Sequence, residues 1–215
     1  LSRSREIEPE YARRLIRDFT HFLDQQNDSE SFALLNAMSS FLNRHKGSIS
    51  SKQIDELKQI ALKNILQQKQ DSNYRSSLVG FVVDTFPKDV FVADTLVHTL
   101  KESESDSSIQ FDTLAAISSN PYFCQKAKPQ LLFHATRGDT PTMELALQGL
   151  SHVQDLNVSD LEKLLPIAFG DGDSSPANLE LQIRVLAAKA IAAQGPNAVA
   201  PLRALLSQRM SRRAQ

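Results

Sequence analysis

Apolar side chains recur along this chain at intervals of three and four, and no stretch alternates Val, Ile or Thr with polar residues in the two-residue rhythm of a strand. The pattern predicts an all-α protein of about eleven helices. The first starts near Pro9, with Glu6, Glu8 and Glu10 at its positive end and Tyr11, Leu15, Ile16, Phe19, Phe22 and Leu23 along one side. Asp28-Ser29 offers an N-cap for a second helix over 31–45, striped by Phe32, Leu35, Met38, Phe41 and Leu42. Ser50 with Gln53 resembles a capping box opening a third, in which Ile54, Leu57, Ala61 and Ile65 line one side. Leu62 and Leu66 widen that side, and Lys52, Glu56, Lys63 and Gln67 face water.

Further on, Pro87 separates helices over 74–86 and 89–100, and the run KESESDSS at 101–108 is too polar to pack. Ser107 and Gln110 look like a second capping box, and Asn120-Pro121 reads as N-cap and first residue of a helix running to about Thr136. Pro129 must kink or split that helix. Thr140-Pro141 starts another, and Ser159 with Glu162 caps a short one ending at Phe169. The starts at Asn73, Ser107, Thr140 and Ser175 lie 34, 33 and 35 residues apart, whereas the interval from Ser29 to Asn73 is 44. Spacing of this kind suits stacked hairpins, each burying its apolar face only against neighbours.

The last such unit, 175–208, places Leu181, Val185, Leu186, Ala188 and Ile191 before Gly195-Pro196, and Val199, Leu202, Leu205 and Leu206 after it. Gly195 suits the left-handed residue that ends one helix and Pro196 the first position of the next. Through Arg184, Ala187, Ala188, Ala190, Gly195, Ala198, Val199, Pro201, Leu202 and Leu205 the segment resembles one HEAT repeat. The resemblance implies a right-handed α-solenoid of the HEAT or armadillo-like kind, with 1–215 as one domain. Second helices over 51–70, 88–101, 121–136, 159–169 and 196–209 would line its concave side, and Leu202 would be buried between hairpins.

Charge narrows the partner. The 24 basic and 25 acidic side chains nearly cancel, so no global field draws the chain to nucleic acid. No window approaches the roughly 20 apolar residues of a membrane-spanning helix, so no membrane insertion is expected. The single cysteine, Cys124, excludes an intramolecular disulfide and a Cys-based zinc site, and its flanks suit a packed rather than a reactive thiol. The sequence begins at Leu1, which suggests that the chain belongs to a longer one.

No catalytic signature emerges. Gly-x-Ser-x-Gly, Gly-x-x-x-x-Gly-Lys and Gly-x-Gly-x-x-Gly are all missing, and His21, His45, His98, His134 and His152 never fall three or four apart as two metal ligands on one helix face would. A calcium-loop reading from Asp171 fails at Pro176 and Gln182. HEAT-like DNA glycosylases use a basic groove with Trp, and deoxyhypusine hydroxylases use His-Glu dipeptides. This chain has neither feature. The basic clusters Arg13, Arg14, Arg17 and Arg203, Arg209, Arg212, Arg213 read as solvated helix faces. The sequence thus points to a non-enzymatic scaffold that takes a protein or peptide partner and needs no cofactor or metal. Contact candidates on the second helices are Lys63, Gln67, Asp94, His98, Lys101, Gln125, Lys126, His134, Glu162, Lys163 and Arg203. The alternative is an enzyme or metal-binding subunit whose site is assembled from scattered residues such as His98 and His134.

Overall fold

The structure is a computed structural model and describes residues 8–25, 32–67, 71–102, 107–169, 181–200, 202–204 and 207. Among these residues every regular element is a helix and there is no strand. None of the described helices is long and apolar enough to cross a membrane. The chain divides into two compact units, Leu1–Thr113 and Leu114–Gln215.

The first unit contains α1 (Pro9–Gln25), α2 (Phe32–His45), α3 (Ser51–Leu66), α4 (Ser72–Thr85) and α5 (Val90–Glu102). α1 packs on α3 and α3 on α5, while α2 packs on α4 and α4 closes against α3 and α5. Alternate helices therefore form rows. The core holds Ile16, Phe19, Leu23, Leu57, Ile65, Leu78, Phe81 and Leu96, with the Phe19 and Phe81 rings 5.8 Å apart. Each helix start follows local chemistry. Ser50 Oγ accepts from the Gln53 amide at 3.3 Å and donates to Gln53 Oε1 at 2.9 Å, and Asp71 Oδ1 accepts from the Tyr74 amide at 3.0 Å.

α6 (Ser107–Ser118) spans the division between the units. In the second unit follow α7 (Pro121–Lys126), α8 (Lys128–Arg137), α9 (Thr140–Leu150), α10 (Val158–Phe169) and α11 (Leu181–Ala192). Here α8 packs on α9 and α10, and α11 packs on α9 and α10. Phe123, Leu131, Leu147, Leu161, Leu164 and Ile183 fill the interior. Asn120 Oδ1 accepts from the amides of Tyr122 and Phe123, with Pro121 in the first turn, as the sequence predicts. Pro129 does divide its helix: α7 ends at Lys126 and α8 begins at Lys128. Cys124 is buried and its Sγ donates to the Ile117 carbonyl at 3.1 Å, while burial pushes the thiol up to about 12.

Several expectations are corrected. The box at the start of α10 is formed by Asn157 and Asp160 rather than by Ser159 and Glu162. The Asp160 amide donates to Asn157 Oδ1 at 3.0 Å and the Asn157 amide to Asp160 Oδ2 at 3.1 Å, because the helix begins earlier than its apolar stripe implies. Lys101 and Glu102 continue α5, and Ser107 and Ser108 already belong to α6. In α11 the buried face is Ile183, Ala187, Ala190 and Ile191, whereas Leu181 is 77% exposed and Val185 is exposed as well. Gln194, two residues past the end of the helix, fixes this face. Its Oε1 accepts from the Leu156 amide at 3.0 Å and its Nε2 donates to the Val153 carbonyl at 2.7 Å. Gly195 has φ 57°, the left-handed conformation expected of it, and is followed by a tight 3-10 turn over Gly195–Ala198. Beyond it Val199 is exposed and Leu202 only half-buried, so Leu202 is not enclosed as its stripe implied. The expectations resting on Asp28, Ser29, Asp171, Ser175, Leu205, Leu206, Arg209, Arg212 and Arg213 lie outside the described residues.

Two substitutions test this packing. Gln194→Leu strands the buried Leu156 amide and Val153 carbonyl together and lowers unfolding stability by about 2–4 kcal/mol in a urea titration. Gly80 lies mid-helix in α4, and no atom stands within 4 Å of the position its Cβ would take. Gly80→Ala therefore raises stability by about 1 kcal/mol from helix propensity alone.

Candidate functional site

The feature that best fits a working site is a groove of about 610 Å³ between α3 and α5 in the first unit. Gln59, Leu62, Lys63 and Leu66 line one wall and Phe91, Asp94, Thr95 and His98 the other, with Gln67 at the end. Each wall is one helical stripe at spacings of three, four and seven, so both rows point the same way. The groove mixes apolar floor and polar rim. Leu66 is 43% and Phe91 59% exposed, amounts that isolated surface residues show singly but that here adjoin in one cleft.

A buried lysine positions Phe91. Lys58 is 7% exposed, and its Nζ lies 2.7 Å from Asp89 Oδ2 and 3.1 Å from Asp55 Oδ1. The same ammonium stands 5.7 Å from the Phe86 ring centre and 5.8 Å from that of Phe91. The other Asp89 oxygen, Oδ1, accepts from the amides of Phe91 at 2.9 Å and Val92 at 3.2 Å, which caps α5. One carboxylate thus fixes the start of α5, and through it the angle at which Phe91 meets the groove. Burial by itself would lower the Lys58 value and raise that of Asp89. The hydrogen bonds and mutual attraction outweigh burial, so Lys58 is held above and Asp89 below its ordinary value.

Four of the residues singled out in the sequence, Lys63, Gln67, Asp94 and His98, come together in this groove. Lys101 is exposed at the end of α5, outside its lining. In the second unit Lys163 lines another groove, between α8 and α10, while Glu162 is exposed beside it. Gln125 and Lys126 are exposed on α7, and the amide of Gln125 is engaged: Nε2 donates to Asp155 Oδ1 at 2.6 Å and Oε1 accepts from the Gln154 amide. That donation, ahead of the Lys128 charge, holds Asp155 below its ordinary value. His134 is buried, 5% exposed, with its ring edge-on to Phe133 at 5.3 Å, and so is a packing residue rather than the surface residue its position suggested. Arg203 is exposed.

Sequence reasoning missed the apolar half of the site. The periodicity reads Leu66 as part of the core face and gives Phe91 no face, yet Leu66 shares a stripe with Lys63, and Phe91 with Asp94 and His98. That shared stripe was the available signal. Among the described residues no group of three or more His, Cys, Asp or Glu side chains could hold a metal ion.

Because Asp89 is depressed, its contribution to stability is complete above the ordinary Asp value near 3.9 and is lost as pH falls through the lowered one. The Lys58 contribution is complete below the ordinary Lys value near 10.4 and is lost as pH rises through the raised one. Asp89→Ala removes the cap and one counter-charge of a buried ammonium, at a cost of about 3 kcal/mol near pH 7. Asp89→Asn, which retains a capping oxygen, costs less, and its gap from the unchanged chain narrows on acidification. Urea titrations across the pH range check both.

Comparison of the chain with protein-family models, with curated proteins and with solved structures returned no match.

Proposed function

We propose that each unit is a stack of HEAT-like helical hairpins and that the chain is a non-enzymatic interaction scaffold, taking a polypeptide partner on the outward face of its second helices. The observation that carries this reading is the α3/α5 groove, where the exposed Phe91 and Leu66 sit inside a rim of Lys63, Asp94 and His98. An accessible aromatic surrounded by polar side chains is the composition of an interface centre. The stacking half of the proposal rests on alternation: α1 on α3 on α5, with α2 on α4, in the first unit, and α8 on α10, with α9 on α11, in the second. Mixed charge along the α3/α5 rim favours a polypeptide over a polyanion.

A photo-crosslinking amino acid placed at Lys63 or His98 should capture one discrete protein from an extract of the source cells, while the same group at Ser77 on α4 should not. Phe91→Ala should weaken that complex about tenfold or more and leave the far-ultraviolet circular dichroism unchanged. Turnover of a substrate that is abolished by Phe91→Ala or His98→Ala would overturn the scaffold reading.

A further inference from the structure

The second unit has its own groove, of about 390 Å³, between α8 and α10. Its charge sets it apart. The α1/α3 groove is lined by Arg17 and Lys52 against Asp24 and Glu56, and the α3/α5 groove by Lys63 against Asp94, so both balance. The α8/α10 groove is lined by Lys128, Arg137 and Lys163 against Asp160 alone. It carries a surplus of two positive charges on a chain whose net charge is −1.

Nor is this surplus spent inside the protein. Lys128 is committed: its Nζ lies 3.1 Å from the Asp155 carbonyl, 3.7 Å from Asp155 Oδ1 and 3.5 Å from Asp160 Oδ2. Asp160 is committed as well, accepting from the Asn157 amide while buried at the start of α10. Among the described residues, neither Arg137 nor Lys163 has a carboxylate within 4.0 Å. Arg137 is also preorganised, its guanidinium carbon 5.4 Å from the centre of the Phe133 ring. A guanidinium held at this distance from a ring still has N–H groups to offer an incoming anion, and Phe133, 43% exposed, gives an apolar platform beside it. Leu132 and Pro129 extend that apolar surface.

We propose that the α8/α10 groove binds an acidic peptide segment of a partner protein, with an Asp or Glu carboxylate held by Arg137 and Lys163 and an apolar side chain against Phe133. This rests on the scaffold reading above and adds the chemistry of the ligand. A nucleic acid presents a series of phosphates and needs a matching series of cations, whereas this groove offers two uncommitted ones and a buried carboxylate at its edge. One or two side-chain carboxylates flanked by apolar residues match it in charge and in extent.

The test is selection from a degenerate peptide pool on the purified full chain, followed by fluorescence anisotropy with the best peptide. Retained peptides should be enriched in Asp and Glu about threefold or more over the input. That enrichment should vanish in the double variant Arg137→Gln with Lys163→Gln, and invert toward Lys and Arg in Arg137→Glu with Lys163→Glu. Phe133→Ala should weaken the best peptide about tenfold, and Phe91→Ala in the first unit should leave it unchanged. Circular dichroism of each variant confirms that the helices persist. Enrichment absent from the unchanged chain, enrichment that persists in the Gln variant, or displacement of the peptide by an equimolar thymidine oligonucleotide overturns the proposal. If peptides are retained without acidic bias and released by Phe91→Ala, the acidic-ligand inference falls and the scaffold reading stands. Retention indifferent to every change in either groove removes both.

Discussion

Every helix leaves amides unpaired at its start and carbonyls unpaired at its end, and in a protein built from short helices these orphans are numerous and partly buried. Here they are answered by side chains that arrive from later in the chain. The Leu23 carbonyl, in the last turn of α1, accepts from Asn64 Nδ2 at 2.7 Å and from the Tyr74 hydroxyl at 3.3 Å. The Ile65 carbonyl near the end of α3 accepts from Arg75 Nε at 2.9 Å, and in the second unit Gln194 binds both a carbonyl and an amide of the segment that leads into α10. Each of these side chains is buried and reaches across 10 to 51 residues of sequence. The order of the helices is held by polar bonds at their ends as much as by apolar contact along their flanks, since an unanswered buried group costs more than the bond itself contributes.

The Lys58 and Asp89 pair belongs to the same scheme. An ammonium nearly withdrawn from water is tolerated because two carboxylates and two aromatic faces surround it, and one of those carboxylates simultaneously caps α5. Such a pair contributes little net stability against an apolar substitute, but it penalises any other placement of the start of α5. Placement is what the α3/α5 groove needs: its two walls are single stripes on two helices, and a rotation of α5 by one residue would turn Phe91 and His98 away from Leu66 and Lys63.

The two grooves invite comparison as surfaces of one kind. Each lies between helices two apart in their unit, each presents a phenylalanine, and each is edged by lysine. They differ in how far internal ion pairing has consumed the charge. In the first unit Lys58 and Asp89 pair beside Phe91 and the rim of the groove is balanced. In the second, Lys128 and Asp160 take the corresponding roles of internal pair and helix cap, and Arg137 and Lys163 are surplus to it.

What the sequence by itself determined was local. The three-and-four rhythm, the Asn120 cap, the break at Pro129 and the left-handed Gly195 all depend on residues within one or two turns, where propensity and capping chemistry act without reference to the rest of the chain. Tertiary structure decided the rest. It chose which stripe of α11 faces inward, because Gln194 had to reach Leu156. It moved the α10 cap to Asn157 and Asp160, because the helix begins ahead of its apolar stripe, and there Lys128 from another helix pairs with the Asp160 carboxylate. It left Leu66 in solvent although its stripe reads as core, and Phe91 beside it, because a helix with apolar residues on two faces can bury only the one its neighbours cover. And it drew Lys63, Gln67, Asp94 and His98 into one cleft while burying His134. A periodicity states which residues share a face of a helix, but only the packing of helix on helix states which face is left for a partner.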